Sequence, residues 1–177
     1  MITLKILFIA LNLLIQDGKW IRVNSDIGIS FLFPNHPQKI EQVVNDIPSV
    51  IYQTKDLTCV AGIVCSDMSS KKIVINNEIA LQFYNELKAG TLNQETAILK
   101  NEMTVPYENM LIKEIEYSII KDKHEFTYFK RFIFINNYIY QITIGGPNRY
   151  MQTLKKERNI FFNSITFKSS ENNKISK

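Results

Sequence analysis

Glycine is scarce in this chain: six residues in 177, none set in a GxGxxG or GxxxxGK[ST] frame. The glycine-rich loops whose backbone N–H groups close on a nucleotide's phosphates are therefore absent, and a phosphate cradle of that kind has no support. Histidine and cysteine are scarcer still, two of each. His36 lies in the turn FPNHPQ, and His124 opens a β-rich run after Lys121-Asp122-Lys123. No GxSxG elbow or comparable frame sets a nucleophile beside either, so both read as exposed turn residues. A small hydrolase using His36 or His124 with a nearby acid is the alternative of a different class.

Cys59 and Cys65 are six residues apart. On one strand they share a face about 20 Å apart, far beyond disulfide reach. They have no histidine at metal-ligand spacing and read as small apolar strand residues. Asp67, Glu78 and Glu86 do not follow a calcium-loop spacing. Glu114 and Glu116, two apart, share a strand face and read as solvated carboxylates, because a glycosidase needs carboxylates converging from different elements. No metal and no cofactor is expected.

Long apolar runs and dense charge are also missing. The net charge of +4 is spread over the chain without a Lys/Arg cluster, which argues against a nucleic-acid partner. The apolar run that does occur, ILFIALNLLI, holds ten residues after a single lysine in MITLK. Ten is too short to span a bilayer and matches the hydrophobic region of a secretory signal peptide, which runs about 7–15 residues. The expectation is a signal peptide over 1–18, export to a periplasmic or extracellular space, and no stable membrane span after cleavage. A buried first element in a cytoplasmic protein is the other reading of the same run.

What remains is one domain's worth of chain, 19–168, ending in the polar tail 169–177, which is expected to be mobile. Its 45% hydrophobic and 21% charged content is ordinary for a globular protein. Ile27, Ile29, Phe31 and Phe33 alternate as a strand that Pro34 and Pro37 terminate. SVIYQTKD and LTCVAGIVCSDM read as an antiparallel pair. In NNEIALQFYNELKAG, Ile79, Phe83 and Leu87 recur at four-residue steps, predicting a helix capped by Asn76 or Asn77 and stopped by Gly90. Three further β runs, MLIKEIEYSII, EFTYFKRFIFI and YIYQITI, have joins short enough for a meander. EFTYFKRFIFI is apolar on both faces, as in a covered central strand, whereas YIYQITI reads as half exposed or nearer an edge. RYMQTLKKERNIFFNSITF predicts a second helix, with Tyr150, Leu154, Ile160 and Phe161 as its apolar side, running into a short strand at 164–167. The order is three strands, helix, three strands, helix, strand, which predicts an α+β fold.

Several blocks resemble PsbP-like domains. SDIGISFLFPNHPQ followed by IYQTKD and VAGIVCSDM is similar to that family's opening F-x-x-x-FP-x-x-P strand, turn and hairpin. TVPYENMLIKEIEY resembles the turn and strand after its first helix, and RFIFINNYIYQITIGGP its late hairpin. NIFFNSITF, with Phe162, Ser164 and Phe167, resembles the closing F-x-x-S-F junction. The resemblance covers 20–167 and departs at Tyr107-Glu108, where relatives often carry glycine. It implies an α/β/α sandwich around an antiparallel sheet, a fold shared by an extrinsic photosystem subunit, a Ran-binding nuclear import factor and exported bacterial proteins. These are mostly accessory or binding proteins, and one fold hosts unrelated roles.

The resulting expectation is an exported, monomeric, non-enzymatic accessory protein that binds a protein or an envelope component. An intracellular protein-binding domain is the variant without export. Tyr107, Tyr138, Tyr140 and Arg149 are the candidate partner-binding residues, since rings and arginine near loops make efficient contact anchors.

Overall fold

The computed structural model describes residues 20–56, 58–93, 97–107 and 110–167; the expected signal peptide and tail lie outside them. Five strands precede the first helix: β1 (Ile21–Asn24), β2 (Ile29–Phe33), β3 (Gln38–Val44), β4 (Ile47–Lys55) and β5 (Val60–Asp67). Helix α1 (Asn77–Leu92) leads to β6 (Ala97–Val105), β7 (Leu111–Lys121), β8 (His124–Ile135) and β9 (Tyr138–Pro147). Helix α2 (Met151–Asn163) then runs into the two-residue β10 (Thr166–Phe167).

The strands form a seven-stranded sheet in the order β3-β4-β5-β9-β8-β7-β6 and a three-stranded sheet in the order β1-β2-β10. Every ladder among the described residues is antiparallel. The fold is α+β. Tight turns join the hairpins where the backbone must turn left-handed: Asn45 and Asp46 both take positive φ, as do Asp122 and Lys123. This is the geometry a two-residue hairpin demands, and Asn and Asp tolerate it well. Asn136, with φ of 54°, opens the β8–β9 turn.

Two apolar layers sandwich the large sheet. On one face, Phe129, Ile133, Tyr140, Ile142, Ile144 and Ile63 pack against α2 through Leu154, Phe161 and Phe162, and against the small sheet through Ile29, Phe31 and Phe33. On the other, Ile115, Tyr117, Phe132, Phe134 and Ile139 meet Ala80 and Tyr84 of α1. Alternation along β8 supplies both layers, so this strand is covered on both sides. Each fully buried Phe or Ile removes enough apolar surface to stabilise the fold by about 2 kcal/mol. The glycine pair ending β9 belongs to the same packing. A Cβ on Gly145 would run into the Tyr128 ring, and one on Gly146 into the Thr58 carbonyl, so these positions need glycine for close approach.

Each helix is tied down by a polar device. The Asn76 side chain accepts from the Ile79 N–H at 2.9 Å and caps α1. The last turn of α1 carries no basic residue of its own. Lys130 reaches up from β8 instead and donates to Thr91 Oγ1 at 3.0 Å, placing a cation where the helix dipole is negative. Burial lowers the Lys130 pKa to about 8. Helix α2 is held by Glu114 of β7, whose carboxylate accepts from Arg131 of β8 and from Arg158 of α2. Arg131 also donates to the Phe162 carbonyl at 2.8 Å, and both guanidinium groups lie over the Phe162 ring.

Several expectations need correction. Strands β1, β3 and β6 were not anticipated: β1 is four residues paired with β2, and β3 and β6 are the two edges of the large sheet, exposed along most of their length, so neither edge carries a clean apolar alternation. β9 lies at the sheet's centre rather than near an edge. Its half-exposed Gln141 and Thr143 lie where the cover of α1 gives out along that face, which mimics an edge pattern. Gly90 does not stop α1, which continues to Leu92. Ile160 points outward, 41% exposed, and Phe162 takes the expected inward place beside Leu154 and Phe161. Glu114 is buried between two arginines instead of solvated, a partnership that one strand's sequence does not reveal.

Candidate functional site

Three of the four candidate residues gather at one end of the molecule. Tyr138 and Tyr140 lie on the same face of β9 with ring centroids 6.1 Å apart. Phe167 of β10 meets Tyr140 at 6.4 Å on one side and Tyr107 at 6.1 Å on the other. The result is an aromatic seam running from core to surface. Tyr107, just past β6, is its exposed terminus at 55% accessibility, backed by the edge-on Phe167 ring. Tyr140 is 2% exposed, and its hydroxyl donates to the Ile27 carbonyl at 2.6 Å. The Tyr52 hydroxyl reaches Asp26 at 3.0 Å, so two tyrosines hold the β1–β2 loop on the sheet. That loop turns at Gly28 with φ of +77°, where a Cβ would also crowd the Tyr140 hydroxyl. Arg149 is not part of the seam. It follows the far end of β9, about 30 Å of strand from Tyr138, and lies over its neighbour Tyr150. Phe167 links Tyr107 to Tyr140, which carries Tyr138, and in the sequence it stands out only as part of a closing motif.

The alternative built on histidine needs a histidine joined to a nucleophile or acid. His124 lines a hollow of about 540 Å³ that also touches Asp56 and Cys59, so the right residue types come near one another. They are otherwise engaged. Asp56 Oδ1 accepts from the Thr58 N–H, the Thr58 hydroxyl and the Cys59 N–H. Burial opposes ionisation of Asp56, but those donors outweigh it and hold its pKa below the usual carboxylate value. Burial, reinforced by Glu157 and Asp56, pushes the Cys59 thiol well above the ordinary range, and the side chain is almost fully covered. The thiol donates to Asp56 Oδ2 at 3.9 Å, and a buried thiol held protonated beside carboxylates is a poor nucleophile. His124 is exposed and joined to neither residue. His36 lies across the sheet beside a second hollow of about 560 Å³, lined by Gln38, Gln53, Lys55, Gly62 and Thr143, where no Ser, Cys or carboxylate meets it.

That second hollow belongs to an uncovered surface of the large sheet. Helix α1 packs over β6 and β7 and leaves the same face of β3, β4 and β5 open. Cross-strand rows build this surface: Gln38, Gln53, Gly62 and Thr143 in one, and Ile40, Ile51, Val64 and Gln141 in the next. Amides, hydroxyls and half-covered aliphatic side chains alternate over it. The two cysteines lie on the opposite, buried side, both unpaired, and burial raises the Cys65 pKa to about 12. Among the described residues no group of three or more His, Cys, Asp or Glu side chains is placed to hold a metal ion, and no helix is long and apolar enough to cross a membrane.

No protein-family model matches the sequence, and a search of curated proteins gives no match. Solved structures do match. A cyanobacterial PsbP (CyanoP) from Synechocystis sp. PCC 6803 aligns over 87% of this chain and 95% of its own, with a TM-score of 0.55 at 13% identity. LpqN of Mycobacterium tuberculosis, described as involved in cell envelope biogenesis, aligns over 84% and 90% with a TM-score of 0.47 at 13% identity. A Pseudomonas aeruginosa protein of unknown function, PA94, described as a putative regulator, aligns over 80% and 94% with a TM-score of 0.44 at 11% identity. The chain therefore has a PsbP-like fold, as its motifs led one to expect.

Proposed function

We propose that this is an exported, non-enzymatic accessory domain that binds another protein or an envelope component through the aromatic end of its sheet. The observation that carries the reading is Tyr107: a large ring, 55% exposed on a loop, braced edge-on by Phe167 and through it by Tyr140. A rigidly backed tyrosine offers apolar area and a hydroxyl at small entropic cost, which is the character of a contact hot spot. Tyr138, half-buried beside Tyr140, extends the same patch. The export half of the proposal rests on the apolar run at 6–15.

Two experiments separate the two halves. Tyr107→Ala removes an exposed ring and is expected to leave the melting temperature within about 2 °C while cutting retention of partner at least fivefold in affinity capture from the native envelope. Tyr140→Ala is the destabilising counterpart, losing about 3 kcal/mol of core packing. Capture undiminished by Tyr107→Ala removes the binding surface. N-terminal sequencing of the protein isolated from its native cell tests export, and an intact Met1 overturns it.

A further inference from the structure

The outer edges of the large sheet, β3 and β6, face no strand among the described residues, and an unpaired edge is a template for another strand. β3 reads Gln38-Lys39-Ile40-Glu41-Gln42, a sequence complementary to itself when reversed. A second copy laid antiparallel about a two-fold axis through Ile40 sets Ile40 against Ile40, Gln38 against Gln42, and Lys39 against Glu41. The matched span is Gln38–Gln42; beyond it Val43 lies beside Pro37, which has no N–H to add to the ladder. We propose that the protein pairs with a second copy of itself along β3, fusing two seven-stranded sheets into one. The partner fits in place of the monomer expected from the sequence.

Geometry supports the pairing. β3 is in unbroken register with β4 from Gln38 opposite Gln53 to Val44 opposite Ile47, so its side chains alternate cleanly. Gln38, Ile40 and Gln42 therefore share the open face, and Lys39, Glu41 and Val43 share the other. A two-fold axis perpendicular to the sheet keeps each face on its own side, so every opposed pair meets on one surface. Lys39 already touches Asp26 at 2.7 Å and Glu41 at 2.6 Å. Its ammonium has a third donor, and pairing places the second copy's Glu41 directly opposite, so charges of opposite sign alternate across the joint. Val43, 68% exposed, is covered in the process.

The other edge supplies a contrast. β6 also carries lysine and glutamate about a central asparagine, Leu99-Lys100-Asn101-Glu102-Met103. Its register breaks between Leu99 and Asn101, so Leu99 stands opposite Tyr117 on the α1 face while Met103 stands opposite Glu114 on the α2 face. Self-pairing about Asn101 would oppose residues that point to different sides. The bulge blunts this edge. β3 has no such bulge.

A five-residue paired span buries less than a standard interface, so the dimer is weak, with a Kd of about 10–100 µM. Sedimentation equilibrium of the full chain up to about 1 mM tests it. Lys39→Glu or Glu41→Lys alone places like charges opposite twice and is expected to weaken dimerisation about tenfold or more. The double reversal Lys39→Glu/Glu41→Lys restores opposite charges across the axis and returns the Kd to within about threefold of wild type. Thermal unfolding of each variant identifies any folding defect, and the double variant shares the lost Lys39–Asp26 contact with the single Lys39→Glu variant. A wild-type chain that stays monomeric at the highest concentration overturns the proposal. So does a dimer indifferent to both single reversals, or a folded double reversal that fails to dimerise. Partner capture through Tyr107 is read separately and survives either result.

Discussion

The two halves of the seven-stranded sheet are built from the same kind of strand but stand in different environments. Around β7 and β8, helices cover both faces and side chains from three layers interlock. Over β3, β4 and β5 the face opposite the small sheet is open, and amides and hydroxyls share it with aliphatic residues. The difference teaches that stability and recognition are divided across one sheet. Substitutions should therefore be costly in the covered half and nearly silent in the open one.

The sharpest break is expected at Glu114. Glu114→Ala leaves Arg131 and Arg158 without their carboxylate in a site where Arg131 is largely covered, with 13% of its side chain exposed. Removing one partner of a buried ion cluster costs about 3–5 kcal/mol, and the partial exposure of Arg158 argues for the lower end. Urea denaturation reads the loss. A cost below about 1 kcal/mol would mean that α2 is held by Leu154, Phe161 and Phe162 alone.

Next in size is a pair of glycine substitutions. Gly145→Ala drives a methyl into the Tyr128 ring, with an expected loss of about 2 kcal/mol from overpacking. Gly62→Ala in the open half meets only ordinary contact with the Tyr52 carbonyl at 3.6 Å. It is expected to be neutral or to stabilise by up to about 1 kcal/mol, because alanine has less chain entropy to lose. Equal effects at the two glycines would erase the contrast between the halves.

These cases show what the sequence could carry. Alternation in EFTYFKRFIFI announced a strand covered on both sides, because the pattern is a property of one strand and its two faces. The Asn76 cap and the Asn136-Asn137 turn were legible for the same reason: their chemistry is local. The edge strands were not, since β3 and β6 have too little to bury for periodicity to mark them. Glu114 gave no sign of its arginines, which arrive from β8 and α2, 17 and 44 residues away in sequence. At the aromatic end, Tyr107, Tyr138 and Tyr140 were visible as rings near loops, but their joining through Phe167 depends on a two-residue strand docking on β2.

The subtlest test lies at the border between the halves, where Lys130 meets the C-terminal turn of α1. Burial lowers its pKa to about 8, against 10.5 for the unfolded chain. Below pH 8 both states hold the proton, so the folded state bears the full cost of covering an ammonium. Between pH 8 and 10.5 the unfolded chain binds a proton that the folded one has released, and stability therefore rises with pH. The gain is at most about 3 kcal/mol and smaller where water reaches the amine. The two buried cysteines oppose it from about pH 9 and tyrosines from about pH 10, since burial raises the Cys59 pKa well above the ordinary range and the Cys65 and Tyr117 pKa values to about 12, and the unfolded state ionises first. Urea midpoints taken between pH 7 and 10 should rise for the wild type relative to Lys130→Met, whose own profile falls as the cysteines of the unfolded chain ionise. A wild-type profile parallel to the variant's would place the Lys130 amine in water, and would move the boundary of the open surface inward beneath α1.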